Sequence, residues 1–154
     1  MSRHIATVTW ERGDAAFVDN RYSRAHAWHF DGGATVPAAA SPDVVPAAFT
    51  DAAAVDPEEA FVAAVSSCHM LWFLSLAAKA GWRVDSYLDE AEGHMADVRP
   101  GRPGFREVVL RPRIAFGGER QPDAATIEEL HHQAHDRCYI ANSISGDVRV
   151  EAPR

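Results

Sequence analysis

Asp56-Pro57-Glu58-Glu59-Ala60-Phe61-Val62-Ala63-Ala64-Val65-Ser66-Ser67-Cys68-His69-Met70-Leu71-Trp72-Phe73-Leu74, running on through apolar residues to Lys79 and Gly81, is the stretch that decides the fold. Asp56 supplies a capping side chain, Pro57 suits the first helical position, and Glu58 and Glu59 put acids in the first turn. Glu59 stands three residues after Asp56, the spacing of a capping box. Gly81 is placed to end the helix, because a glycine readily takes the left-handed conformation of a helix terminus. The pattern predicts a helix of about 24 residues, about 36 Å long at about 1.5 Å per residue. A compact chain of this length has a radius of gyration of about 15 Å, so the helix crosses its whole width. The helix is apolar nearly all round and therefore calls for cover on every side, which one small chain can hardly supply. A homodimer that buries it at or near the interface is the expectation.

On the N-terminal side, Ala6, Val8 and Trp10 alternate with polar neighbours, Ala15 to Val18 form a short apolar run, and His26 to Phe30 is rich in aromatics. These segments predict an antiparallel meander. Residues 32–55 carry Gly32-Gly33, prolines and many alanines without a helical face, and read as a long surface loop. On the C-terminal side, Val84 to Val98 reads as one moderately polar strand, and Arg99 to Gly104 as a turn. Val108, Leu110, Pro112, Ile114 and Phe116 follow as a strand with one core face, its proline favouring an edge or a bulge. A second helix carries Ile127, Leu130, Ala134 and Cys138 at helical spacing, with Asp123 or Thr126 as its cap. Asp147 to Val150 completes the chain as a short strand. Strands, helix, strands, helix and strand in that order argue an α+β fold, and 154 residues that are 47% hydrophobic argue a single domain over 1–154.

Fifteen basic against 22 acidic residues give a formal charge of -7, which repels a polyanion, so nucleic acid is not expected as a partner. No apolar run follows a basic N-terminus, and no uncharged stretch is read as reaching the roughly 20 residues of a membrane span. The expectation is a soluble, cytoplasmic protein with no membrane partner.

The chain has 2 cysteines, Cys68 in the central helix and Cys138 near the end of the second. Two are too few for a disulfide framework, and in a reducing compartment a disulfide is catalytic or sensing. Three readings stand side by side: unrelated buried thiols, a metal site, or a redox pair. For the metal reading, His131, His135 and Cys138 recur at i, i+4 and i+7 on one helical stripe, with His132 beside them and His69 as a further ligand. Alternatively His131, His132 and His135 form a polar helix surface, and His69 is a proton donor or a helix residue reaching a polar pocket. For the redox reading, a thiol on each of two packed helices can face the other, and a disulfide needs Cα atoms about 4.4 to 6.8 Å apart. A nucleophilic cysteine must be a thiolate, and mid-helix Cys68 lacks a helix terminus, so a nearby arginine is the expected cation.

Asp56 to Cys68 followed by Leu71 resembles the helix around the first cysteine of the OsmC/Ohr family of osmotically induced and organic-hydroperoxide-resistance proteins. Ala134-His135-Asp136-Arg137-Cys138-Tyr139-Ile140-Ala141-Asn142 resembles the segment around its second cysteine. The resemblance implies an OsmC-like intertwined α+β homodimer, with antiparallel sheets packed around the long buried central helix and two active sites at the interface. It implies a thiol-dependent peroxidase that reduces organic hydroperoxides to alcohols. Cys68 would be the peroxidatic nucleophile and Cys138 the resolving thiol, passing through a Cys68 sulfenic acid and a Cys68–Cys138 disulfide. No metal or organic cofactor is implied, only an external thiol or a lipoylated protein as electron donor. The alternative is a metal-binding or redox-sensing protein of the same fold that uses His131, His135 and Cys138 without turnover.

The resemblance further implies a glutamate at the start of the central helix, matched by Glu58, and an arginine from the N-terminal strands, matched by Arg12 with Arg24 as its rival. At a third placement, which some relatives use, this chain has His29. Glu58 lies ten residues before Cys68, about 15 Å along a straight helix, so either the two belong to different subunits or Glu58 is only a helix-start acid. The chain departs from the family pattern at His69, at Trp72-Phe73 and at Tyr139-Ile140. Trp10, Trp28, Phe61, Met70 and Trp72 either line an apolar peroxide pocket or pack in the core.

Overall fold

A computed structural model describes residues 2–151, which form two compact units, one up to Ala60 and one from Phe61 onward. In the first unit, β1 (Ala6–Thr9), β2 (His26–Phe30) and β3 (Thr35–Ala38) make the expected antiparallel meander in the order β1-β2-β3. Val8 pairs with Trp28 and Trp28 with Val36, so one face of the sheet is aromatic and β-branched. The run Ala15 to Val18 is irregular rather than a strand, and its Phe17 stacks on Tyr22 at 4.7 Å. The expected long loop over 32–55 is shorter than its composition suggested. It contains β3 and a 3-10 turn at Ala47–Phe49, and it buries Ala38 and Ala39. Pro37 is compatible with a strand here because β3 lies at the edge of its sheet, although Ala38 bridges to Val55.

Helix α1 (Pro57–Lys79) starts and stops where the local signals place it. The Glu59 amide donates to Asp56 Oδ1 at 2.7 Å, and the Asp56 amide donates back to Glu59 Oε2 at 3.3 Å. At the other end Gly81 has φ +80, the Gly81 amide donates to Ala78 O at 3.0 Å, and the Trp82 amide to Ala77 O at 2.9 Å. These crossed bonds form a Schellman motif, which needs the left-handed residue that glycine provides. Within this chain the helix is not buried on every side: Val65, His69, Phe73 and Ala77 form one buried stripe, and Ala63, Ser67, Leu71 and Ser75 on the opposite face are exposed. By length and composition α1 is also apolar enough to cross a membrane, contrary to the expectation from the sequence. Its apolarity has a local use in the buried stripe, which packs on strands and on the second helix.

The second unit corrects two strand readings. The single strand expected over Val84 to Val98 is two, β4 (Arg83–Asp89) and β5 (Glu92–Arg99), interrupted at Glu90-Ala91. The strand expected from Val108 to Phe116 is likewise divided into β6 (Arg102–Leu110) and β7 (Pro112–Gly117). β4 pairs with β7, whereas β5, β6 and β8 (Asp147–Val150) form a separate sheet, so the chain changes sheets at Arg111. All pairings are antiparallel except β6 with β8, which is parallel. Arg111 is buried at the switch and ion-paired to Glu92 at 2.9 Å and Glu151 at 3.3 Å. Its backbone amide donates to Asp89 Oδ1 at 2.6 Å. Pro112 thus marks a strand start rather than a bulge, since a proline at a first position costs no ladder bond.

Helix α2 (Ala124–Arg137) is capped by Asp123, whose carboxylate accepts from the Thr126 amide at 2.8 Å. Two apolar clusters lie under α1. Phe73 and Ala77 pack with Leu130 and Ala134 of α2, and Val65 packs with Val108 and Leu110 of β6. His69, between Val65 and Phe73 on the same stripe, falls at the seam between the clusters.

Candidate active site

Cys68 lies in the middle of α1 and is half-buried, whereas Cys138, at the C-cap of α2, is fully buried. The Cys68 thiol lies close enough to Cys138 to act on its proton, so the two packed helices bring together the cysteines that lie seventy positions apart in the chain. Burial pushes the Cys138 thiol up to about 11, and the neighbouring Cys68 thiol adds to the rise. The Ala141 amide donates to Cys138 Sγ at 3.4 Å, and the Cys138 amide closes the last turn on His135 O at 3.1 Å. Just beyond the thiols, Trp72 and Tyr139 meet edge to face, with ring centroids 5.8 Å apart at 79°. The arrangement suits chemistry in which one accessible sulfur reacts with a small molecule and a sheltered sulfur then bonds to it.

Next to the thiols lies a buried polar pair. His69 is 1% exposed, and its Nε2 is 3.0 Å from His131 Nδ1, with the two rings nearly parallel at 13°. The His131 ring also packs on Phe73 at 4.5 Å. Burial, followed by the neighbouring His131 and His135, holds His69 down to about 4. Burial likewise holds His131 down to about 4, opposed by the carboxylate of Asp89. Both rings are therefore neutral at physiological pH, and one donates while the other accepts. Two residues before Cys68, Ser66 donates its hydroxyl to Asp89 Oδ2, while Asp89 Oδ1 accepts from the Arg111 amide. This link ties the register of α1 to the point where the strands change sheets.

The histidine stripe thus separates into different roles. His131 turns inward to His69, whereas His132 and His135 line, with His131 at its wall, a cavity of about 750 Å³ against Val148, Arg149 and Glu151. Neither thiol lines that cavity. Among the described residues, no three His, Cys, Asp or Glu side chains group as a metal-ligand set. His131, His135 and Cys138 share a stripe but do not converge, because Cys138 faces Cys68 and His131 faces His69.

Arg12, Arg24 and Glu58 belong to the first unit, and both cysteines to the second. Glu58 is half-buried in the first turn of α1. Arg24 is committed locally: its guanidinium donates to Asn20 O at 3.0 Å, to Asn20 Oδ1 at 2.6 Å and to Tyr22 O, and it lies 3.9 Å over the Tyr22 ring. Arg12 is exposed and donates to Ala15 O. Of the aromatic candidates for a pocket lining, Phe61 stacks on Phe105 at 4.4 Å as part of the β6 cluster, and Trp72 packs beside the Phe73 cluster. Trp28 donates its indole N–H to His26 Nε2 at 3.0 Å, and Trp10 donates to Ser23 O at 2.8 Å. Sequence reading missed the partnership of His69 with His131 and the role of Asp89. A histidine in the interior of an otherwise apolar helix was the available signal for the first, since such a group must find a partner.

A family model for OsmC-like protein matches residues 50–152. An OsmC-like protein of unknown function from Vibrio cholerae has a structure similar to this one, with 52% identity, a TM-score of 0.96 and 99% of each chain covered. An organic hydroperoxide resistance protein from Elizabethkingia anophelis is similar at 20% identity and a TM-score of 0.70, with 99% of this chain and 95% of that one covered. The organic hydroperoxide resistance protein OhrB of Bacillus subtilis is similar at 20% identity and a TM-score of 0.63, covering 97% and 96%. No curated protein matches the sequence.

Proposed function

This chain belongs to the OsmC-like protein family, and from that membership we propose that it is a thiol-dependent peroxidase that reduces organic hydroperoxides to alcohols. The single observation that carries the reading is the contact between a half-buried Cys68 and a fully buried Cys138. The accessible Cys68 thiolate attacks the O–O bond, retains one oxygen as a sulfenic acid and expels an alkoxide that takes up a proton. Cys138 then displaces that oxygen as water and closes a Cys68–Cys138 disulfide, which an external thiol or a lipoylated protein reduces. No step calls for a metal or an organic cofactor.

The site is completed by Glu58 and an arginine of the N-terminal strands, and a homodimer brings them to Cys68 of the opposite subunit. Arg12 is the better of the two arginines, because Arg24 spends its donors on Asn20 and Tyr22. Leu71, 62% exposed in the middle of α1, supports the dimer, since a large apolar side chain at that place calls for cover.

Stopped-flow oxidation of the reduced protein by an alkyl hydroperoxide and by hydrogen peroxide, with mass spectrometry of the product, tests the reading. A fast reaction that favours the alkyl substrate and yields a Cys68–Cys138 bond is expected. Cys68→Ser should abolish turnover, and full activity in that variant refutes the proposal. Cys138→Ser should be oxidised once and then stall or overoxidise. Arg12→Lys should slow the first step and Arg24→Lys should not.

A further inference from the structure

We propose that the hydrogen bond between His69 and His131 is the positioning element that keeps Cys138 within reach of Cys68 while the disulfide forms. The inference rests on the two-thiol reading above and adds two residues to it. His69 follows Cys68 directly on α1, and His131 lies seven residues, about two turns, before Cys138 on α2, with buried Ala134 between them. Each ring is therefore rigidly coupled to one thiol. Apolar contacts alone let two helices slide and rotate slightly, whereas an N–H···N bond has a narrow length and direction. The Trp72–Tyr139 contact is a second link between the segments that carry the thiols, since Trp72 lies one turn after Cys68 and Tyr139 follows Cys138 directly.

Packing stability does not account for the histidines. His69 sits at the seam between two apolar clusters, and its Nδ1 is buried without a hydrogen-bond partner, a cost that a leucine or phenylalanine would avoid. What an apolar side chain would not supply is the directional link from α1 to α2. The resolving step needs such a link. Cys138 sulfur must approach Cys68 sulfur opposite the S–O bond; the S–S bond forms as the S–O bond breaks, and the departing hydroxide leaves as water with the proton that Cys138 gives up. The hydroperoxide is the oxidant. The disulfide tolerates only a narrow range of Cα separation and torsion. The first step, attack by Cys68 on peroxide, makes no demand on Cys138 and should not depend on the pin.

The test compares His131→Leu, His131→Asn and His131→Gln. An asparagine carboxamide places a polar group near the position of Nδ1, whereas glutamine carries it one methylene too far. Each reduced protein is mixed with cumene hydroperoxide, the sulfenic acid is trapped with dimedone to time the first step, and disulfide is timed by quenched flow and mass spectrometry. A second arm replaces the peroxide with diamide, which oxidises a thiol pair to a disulfide and is itself reduced to the hydrazine. In both arms His131→Leu and His131→Gln should slow disulfide formation by about 10- to 100-fold, as expected for a misplacement of about 1 Å, while in the peroxide arm the first step stays within about twofold. His131→Asn should restore the disulfide rate to near that of the unsubstituted protein, a rescue that a role in bulk packing would not produce. The proposal is overturned if His131→Leu closes the disulfide at the unsubstituted rate, if His131→Asn is as slow as His131→Leu, or if both steps slow alike. Should His131→Leu fail to fold, the comparison of His131→Asn with His131→Gln decides. If the unsubstituted protein ignores peroxide yet the diamide arm shows the pattern, the peroxidase reading fails and the positioning role stands.

Discussion

The Cys138 thiol is fully buried beside that of Cys68, which keeps part of its surface open. The asymmetry assigns the order in which the two react. With Cys138 pushed up to about 11, only about one molecule in ten thousand carries its thiolate at pH 7. Substoichiometric iodoacetamide on the reduced native protein should therefore alkylate Cys68 first, with Cys138 slower by more than about tenfold. Peptide mapping reads the result, and preferential labelling of Cys138 would reverse the assignment of attacking and resolving thiols.

The neutral pair His69 and His131 makes stability depend on pH. Each ring is held down to about 4 in the folded chain against an ordinary value of 6.5, so below about 6.5 the unfolded chain binds protons that the folded one refuses. Stability from this source is complete above about 6.5 and falls toward pH 4, by up to about 1.4 kcal/mol per pH unit for each ring. Urea denaturation at pH 7.5, 6 and 5 should show that fall, and His131→Asn should flatten it. A curve of equal slope in the variant would place the acid sensitivity elsewhere.

Phe73 is the core residue on which the α1–α2 contact turns. It is fully buried, packs with Ala77, Leu130 and Ala134, and touches His131 at 4.5 Å. Phe73→Ala should cost about 3 to 5 kcal/mol in chemical denaturation, because the lost burial is joined by a cavity that the two helices cannot close. A loss under about 1 kcal/mol would mean that the interface repacks freely.

Leu71 tests the proposed dimer. In the protomer it is exposed at 62%, in the middle of the apolar helix and opposite the buried stripe. Sedimentation without detergent should give a dimer at micromolar concentration, and Leu71→Glu should shift it to monomer with loss of peroxidase turnover, because a carboxylate in an apolar interface has no partner. A monodisperse monomer for the unsubstituted protein would remove the subunit-completed site. A requirement for detergent would instead point to the membrane-spanning character that α1 has by length and composition.

Elements whose signals are local were legible in the residues alone. Asp56, Pro57 and Glu59 start α1 and Gly81 stops it, because a capping box and a left-handed terminus each involve only a few neighbouring residues. The same holds for the Asp123 cap of α2, and the residues around Cys68 and Cys138 were enough to suggest the family. Whatever depends on distant segments meeting came only with the folded chain. Strand breaks at Glu90-Ala91 and Arg111 follow from which sheet each half joins, and β3 forms inside an apparent loop because β2 is there to pair with it. The histidine stripe of α2 looked like a ligand set in one dimension. In three dimensions His131 is drawn to His69, since a buried imidazole on α1 must find a hydrogen-bonding partner. The contact of the two thiols belongs to this second class: periodicity permitted it, and the packing of α2 on α1 made it.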